Sequence, residues 1–269
     1  VTIKLIATDL NGTLLHQDQT FDRVRFKRVL ARLQALKIPL VLSSGNQYAH
    51  LRQLFADVMT DNLIVVAENG ASIYAHDDLL FDGSLTAEQQ RQFVTIDRHQ
   101  PLFKDAYVIL VGAQGSYTEA GAPTKLVTMA RQFYDNLQLV DDLASVDDKI
   151  KKISISTQPA QAAALVVQAN TYFDGQLHAH DSGYGVVDLV DQQVGKLPAI
   201  QFLVSQLGLT AADVMAFGDG ANDVPLLQYA GHSYAMLNAP AAIQAKAQAV
   251  TLDDNEHDGV LATIEQQLF

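Results

Sequence analysis

Three aspartates and a lysine in this chain, widely separated in sequence, are of the types that handle phosphate. The first acid, Asp9, ends the apolar run Leu5-Ile6-Ala7-Thr8 and is followed by Leu10-Asn11-Gly12-Thr13. Asp219 and Asp223 come more than 200 residues later, in Gly218-Asp219-Gly220-Ala221-Asn222-Asp223, again directly after an apolar run. Carboxylate oxygens with no histidine or cysteine beside them suit a hard cation, Mg²⁺ above all. Such an ion also offsets the mutual repulsion of Asp9, Asp219 and Asp223. In Ser44-Gly45-Asn46 a hydroxyl and two backbone amides stand where a strand gives way to a helix, which suits phosphate oxygens. Lys196 supplies a point cation for phosphate and for Asp9, and Asn222 supplies an amide donor. Together these groups can set a phosphoryl group against a carboxylate nucleophile.

For distant residues to share a site, the elements carrying them must end at one edge. Residues 3–8, 38–42 and 63–67 read as short buried strands, alternating with helical apolar spacing over Phe21–Leu36 and around His50–Val58. Strand–helix–strand order with short connections predicts a parallel sheet with right-handed crossovers. All strand C-termini then lie at the same edge. Glu68-Asn69-Gly70-Ala71 is a hairpin turn signal. The texture changes near Gly83. Helices near 86–99, 124–136 and 160–173 mix with strands near 107–112, 116–118, 152–156 and 186–190. After Val194-Gly195-Lys196 the alternation resumes, with helices over 197–207, from 222 or 223 to 229, 240–247 and 259–268, and strands at 214–217, 234–236 and 249–251. The domain reading is a discontinuous α/β core over residues 1–82 and 187–269, with an α+β domain inserted at 83–186.

Composition narrows the function. A length of 269 residues suits two domains. A net charge of −12 argues against nucleic acid as a partner, since phosphate-backbone binding needs a basic surface. It leaves room for a small phosphorylated metabolite, because one divalent ion reverses the field inside a cleft. With no cysteine, thiolate nucleophiles and zinc–thiolate sites are excluded. No apolar run approaches the ~18 residues of a membrane span, and Thr8 and Asp9 interrupt the first apolar run too early for a signal segment. The expectation is a cytoplasmic protein with no membrane partner. The acidic pairs Asp141-Asp142 and Asp147-Asp148 read as solvated loop carboxylates. His178 and His180 read as alternating strand residues rather than metal ligands.

Taken together, these motifs resemble the haloacid dehalogenase superfamily, specifically its Cof-type phosphatases with a class IIB cap. Asp9-Leu10-Asn11-Gly12-Thr13 is similar to the family's first motif, Ser44 with Gly45 to the second, Lys196 to the third, and Gly218-Asp219-Gly220-Ala221-Asn222-Asp223 to the fourth. Ser44-Gly45-Asn46-Gln47-Tyr48, Ala67-Glu68-Asn69-Gly70-Ala71 and Asp253-Asp254-Asn255-Glu256-His257-Asp258-Gly259 resemble its sugar-phosphatase branch. The resemblance implies a Rossmann-like parallel-sheet core with an inserted α+β cap. It also implies a Mg²⁺-dependent phosphatase of small phosphate monoesters, in which Asp9 attacks phosphorus and an aspartyl-phosphate is then hydrolysed. The ion would be held by Asp9, the backbone carbonyl of Asn11 and Asp219, with Asp223 in direct or water-mediated contact. Ser44, Gly45, Asn46, Lys196 and Asn222 would hold the phosphate. The cap would close over the sheet edge, with substrate hydroxyls read from the segment His178–Gly185, in which Tyr184 could stack on a sugar ring.

The chain departs from the family at position 11. The family usually carries a second aspartate there, which protonates the leaving alcohol and later activates water. Asn11 retains the backbone carbonyl but its side chain cannot shuttle a proton. The expectation is therefore a phosphatase of reduced turnover. A phosphomutase or a weakly catalytic sugar-phosphate-binding regulator stands as the alternative.

Overall fold

The computed structural model describes residues 3–99, 106–134, 136–183 and 185–269. The described chain is built from strands β1 (Leu5–Thr8), β2 (Leu40–Ser43), β3 (Leu63–Ala67), β4 (Ser72–Ala75), β5 (Asp78–Asp82), β6 (Tyr107–Gly112), β7 (Ser116–Glu119), β8 (Leu137–Val140), β9 (Ile150–Ser156), β10 (Leu177–Asp181), β11 (Val186–Asp191), β12 (Val214–Gly218), β13 (His232–Ala235) and β14 (Ala249–Val250). The helices are α1 (Arg23–Ala35), α2 (Tyr48–Leu54), α3 (Ala87–His99), α4 (Thr124–Ala130), α5 (Pro159–Tyr172), α6 (Lys196–Gln206), α7 (Val224–Tyr229), α8 (Ala241–Gln244) and α9 (Gly259–Leu268). The chain divides into two compact units, residues 1–81 with 195–269, and residues 82–194.

The first unit holds an eight-stranded sheet in the order β14-β13-β12-β1-β2-β3-β4-β5, parallel from β14 through β3. Its central strands are buried on both faces, which is why they read as unbroken apolar runs. Alternation along each strand sends residues to opposite sides. Ile6, Leu40, Leu42, Val65, Met215 and Phe217 pack with Phe26, Val29 and Leu33 of α1 and with Leu261 and Ile264 of α9. Leu5, Ala7, Val41, Val66, Val214 and Ala216 pack with Ile200 and Leu203 of α6 and Leu226 of α7. Asp22 caps α1 by accepting from the Arg25 amide at 2.9 Å.

The second unit carries a six-stranded sheet in the order β10-β11-β9-β6-β7-β8. Pairing is antiparallel from β10 to β7, and β7 and β8 are parallel. One face packs Leu110, Ile153, Ile155 and Leu189 against Phe93 of α3 and Leu165 of α5. On the other, Tyr107, Ile109 and Val111 meet Val127 and Ala130 of α4.

The structure differs from the sequence reading at three places here. The helix drawn over 124–136 ends at Ala130, and β8 comes after it. His178 and His180 do stand on a strand, Leu177–Asp181, as their alternation indicates, but the element order read from the sequence lacks that strand. The boundary placed at 187 falls inside β11, which pairs with β9 and β10. The chain returns to the first unit at Gly195 instead. Among the described residues no helix is long and apolar enough to cross a membrane.

The second unit also buries a charge pair. Asp188, 1% exposed, accepts from Lys152 Nζ at 2.8 Å, Ser154 Oγ at 2.5 Å and Ser182 Oγ at 2.8 Å. Burial pushes its pKa up, but Lys152, His180 and the hydrogen bonds outweigh that and hold the carboxyl below its ordinary 3.8. Removing this carboxylate takes the 2.8 Å ion pair from a buried ammonium, so Asp188→Asn should cost about 3 kcal/mol in urea unfolding. A carboxyl with a depressed folded pKa contributes fully above its unfolded pKa and loses that contribution as pH falls through the folded value. The gap between parent and variant should therefore be widest near neutrality and shrink in acid. A gap that does not change with pH would show that the Asp188 charge is not its source.

Candidate active site

The parallel ladder runs one residue past the strand tips and so fixes the first loop residue after each. The Asp9 amide donates to the Phe217 carbonyl at 3.1 Å, and the Ser44 amide to the Val66 carbonyl at 2.9 Å. Asp9 comes directly after β1, Ser44 after β2 and Asp219 after β12, so all three stand at the C-terminal edge of adjacent strands.

Lys196 reaches this edge from α6. The buried stripe of that helix is Lys196, Ala199, Ile200, Leu203 and Val204, so the lysine lies in phase with apolar residues and is itself 4% exposed. Its Nζ donates to Asp9 Oδ1 at 2.5 Å and to Asp223 Oδ1 at 2.7 Å. Burial works against the ammonium, but Asp223 and Asp9 prevail and raise its pKa. Asp9 is raised as well. Burial is the main cause, Lys196 opposes it, and Asp223 and Asp219 add to it.

Asp223 organises its own loop. Its Oδ2 accepts from the Asp219 amide at 3.1 Å and the Gly220 amide at 3.0 Å, which closes the 3₁₀ turn Ala221–Asp223. A β-carbon on Gly218 would lie 2.4 Å from that of Asp223, so only glycine fits there. Asp219 is raised by burial and by Asp223, against the Thr13 hydroxyl, which donates to its Oδ1 at 2.8 Å. Gly12 holds φ +76°, and a β-carbon there would sit 2.4 Å from Asp219 Oδ2. The loop after Asp9 can approach Asp219 only because residue 12 is glycine.

Asp9, Asp219 and Asp223 each offer an oxygen, and these atoms lie within 4.8 Å of one another. An all-oxygen, all-carboxylate donor set fits a hard divalent cation. Among the described residues this is the group able to hold a metal ion, and neither His178 nor His180 belongs to it. Those two histidines stack on β10 with ring centroids 6.0 Å apart. Tyr184 lies outside the described residues. Asp142 caps a turn through the Ala144 amide and pairs with Arg98, and Asp148 accepts from the Gln114 amide and the Tyr117 hydroxyl, so one member of each acidic pair holds its loop.

The remaining candidates are arranged around this centre. Ser44 is buried, and its Oγ accepts from the Asn46 amide at 3.1 Å. That N–H, read from sequence as a phosphate donor, is thus engaged in shaping the turn. Asn222 sits in the 3₁₀ turn beside Asp223, and Asn11 is exposed next to its bridge partner Leu15.

Sequence reasoning missed the supports. It assigned no role to Thr13, although the residue stands four places after Asp9. Glu68–Gly70 reads from sequence as a turn within a branch motif, with no contact implied. In the structure Glu68 and Asn69 both hold positive φ, 49° and 57°. Their amides donate to Asn46 O and Ser44 O, and Glu68 Oε1 accepts from the Tyr48 amide at the start of α2. A β-carbon on Gly70, at φ +103°, would meet the Gly195 carbonyl at 2.4 Å, so the same turn also abuts the residue before Lys196. The adjoining Asn-Gly pair was the available signal.

This arrangement has counterparts among known proteins. A family model for haloacid dehalogenase-like hydrolases matches residues 6–264. The 5-amino-6-(5-phospho-D-ribitylamino)uracil phosphatase YbjI of Escherichia coli K12 is 29% identical over 268 residues, covering 100% of this chain and 97% of its own. The phosphoglycolate phosphatase of Halobacterium salinarum is 28% identical over 261 residues, 97% of this chain and 96% of its own. The crystal structure of SMU.1108c from Streptococcus mutans UA159 superimposes with a TM-score of 0.92 at 31% identity and covers 99% of each chain. The chain therefore belongs to the haloacid dehalogenase-like hydrolases and is an enzyme of their phosphoric monoester hydrolase kind.

Proposed function

We propose that the chain is a Mg²⁺-dependent phosphatase of small phosphate monoesters, sugar phosphates foremost, working through an aspartyl-phosphate on Asp9. The observation that carries this reading is the buried Asp9–Lys196–Asp223 chain with Asp219 beside it at the sheet edge. Relatives named for two different small phosphorylated metabolites support the substrate class.

In this reading Asp9, Asp219 and the Asn11 carbonyl hold the ion, with Asp223 close by, and the bound ion would supply charge neutralisation for the incoming phosphate. Lys196 keeps Asp9 aimed and its negative charge partnered despite burial. One Asp9 oxygen forms a bond to phosphorus as the bond from phosphorus to the substrate oxygen breaks, and the electron pair leaves with the alcohol. Water then attacks the phosphorus of the aspartyl-phosphate, inorganic phosphate departs, and Asp9 is regenerated. Ser44, Gly45, Asn46, Lys196 and Asn222 form the phosphate side of the site, with Asn46 acting through the turn that it closes on Ser44.

The proton on the leaving alcohol has no donor at position 11, because an amide does not ionise. With water or another group in its place, both steps slow. Asn11→Asp should raise kcat for phosphate release by about 10²-fold or more, the usual worth of a placed acid–base group. Phosphate release from a panel of sugar phosphates would measure it. Tight substrate binding with no turnover in either version would instead favour the binding-regulator reading that Asn11 supports.

The nucleophile and the ion are tested separately. Asp9→Asn should abolish phosphate release and any acid-stable ³²P label on the chain. EDTA should silence the parent, with recovery on adding Mg²⁺. Turnover by Asp9→Asn at parental rate would remove Asp9 from the chemistry.

A further inference from the structure

The loop after Asp9 is held by residues near the other end of the chain. Within the loop, the Thr13 and Leu15 amides both donate to the Leu10 carbonyl, at 3.1 and 2.8 Å. These two bonds set its shape and use neither the carbonyls of Gly12 and Leu15 nor the amide of Gln17. Partners for all three come from the C-terminal segment. Asn238 Nδ2 donates to Gly12 O at 2.8 Å, Asn255 Nδ2 donates to Leu15 O at 3.0 Å, and Glu256 Oε1 accepts from Gln17 N at 2.7 Å.

We propose that Asn255 and Asn238 are positioning residues of the active site, acting through the Leu15 and Gly12 carbonyls on the loop that carries Asn11 and abuts Asp219. Asn255 is the inner of the two, 6% exposed, and its backbone N–H donates to Asn238 Oδ1 at 3.2 Å. That bond fixes which end of the Asn238 amide faces Gly12. Gly12 in turn lies so close to Asp219 that a single added carbon would collide with the carboxylate, and Thr13 from the same loop donates to it. A shift of a few tenths of an ångström in the loop must therefore move Asp219 or the Asn11–Gly12 peptide. Groups that orient metal ligands in this way typically change metal affinity about 10–100-fold when removed. The chemistry requires an amide at both positions, because each side chain donates from its nitrogen and a carboxylate has no such donor.

This inference rests on Asp9 and Asp219 being metal ligands, and the test separates the two. Mg²⁺ binding to the full chain is measured calorimetrically for the parent and for Asn238→Ala, Asn255→Asp and Asp219→Ala, alongside the Tm of each without metal. Asn238 is exposed, so Asn238→Ala should keep the metal-free Tm within about 2 °C of the parent. Its Mg²⁺ Kd should nonetheless rise about tenfold, and the loss of phosphate release seen at limiting Mg²⁺ should shrink as Mg²⁺ is raised. Asn255→Asp should weaken Mg²⁺ binding in the same direction. A Kd for Asn238→Ala within about twofold of the parent, with binding lost in Asp219→Ala, overturns the positioning role and leaves the metal site standing. Undiminished binding in Asp219→Ala sinks the metal assignment and this inference together.

Discussion

The site depends on one ammonium group held out of water between two carboxylates. Burying Lys196 alone would cost several kcal/mol, and burying Asp9 or Asp223 alone would cost as much. Each is tolerable because the others are there. Lys196 Nζ binds Asp9 from β1's tip and Asp223 from the turn after β12, so it joins two strand ends that are remote in sequence. That demand explains a large part of the local sequence. Gly218 is needed so that Asp223 can fold over its own strand, and Gly70 so that the turn after β3 can lie against Gly195.

Charge also dictates what the site can accept. Three carboxylates against one ammonium leave an excess of negative charge at the place where, for a phosphatase, a phosphate dianion must arrive. At contact distances such repulsion is not screened by salt as it would be on the surface. A divalent cation would remove the excess and give phosphate oxygens a positive neighbour. The same argument explains why an acidic protein can be specific for acidic substrates: the net charge governs the surface, while the local charge governs the cleft.

The sequence conveys the central sheet well and the supports poorly, for a physical reason. β1, β2, β3 and β12 are buried on both faces, so their apolar runs stand out and each stops at a polar residue suited to chemistry. His178 and His180 show the alternation of β10, but over only five residues, too few to place it in the element order, and β8 is obscured because Leu137 continues the helical spacing of Val127 and Ala130 in α4. The run at 186–191 was visible as a strand, but an apolar run does not say which sheet it joins, and the domain boundary was misplaced by that ambiguity. Asp9, Asp219, Asp223 and Lys196 were legible because charges directly beside apolar stretches are costly and therefore conspicuous. Asn255 and the Glu68–Asn69 turn stand in motifs the sequence shows, but what they contact does not show there, nor does what Asn238 contacts, because their partners are backbone atoms, which carry no residue-type signature.

Position 11 shows how separable backbone and side-chain contributions are. Its carbonyl belongs to the backbone of a loop fixed by Gly12, Thr13, Asn238 and Asn255, none of which depends on the side chain at 11. That side chain is on an exposed residue, whereas Asp9, Lys196 and Asp223 are buried and mutually dependent. Exchanging carboxylate for amide there removes a group able to ionise without disturbing the charge balance that holds the buried centre together. The buried centre can therefore stand whichever residue occupies position 11, because none of the hydrogen bonds that hold it runs through that side chain.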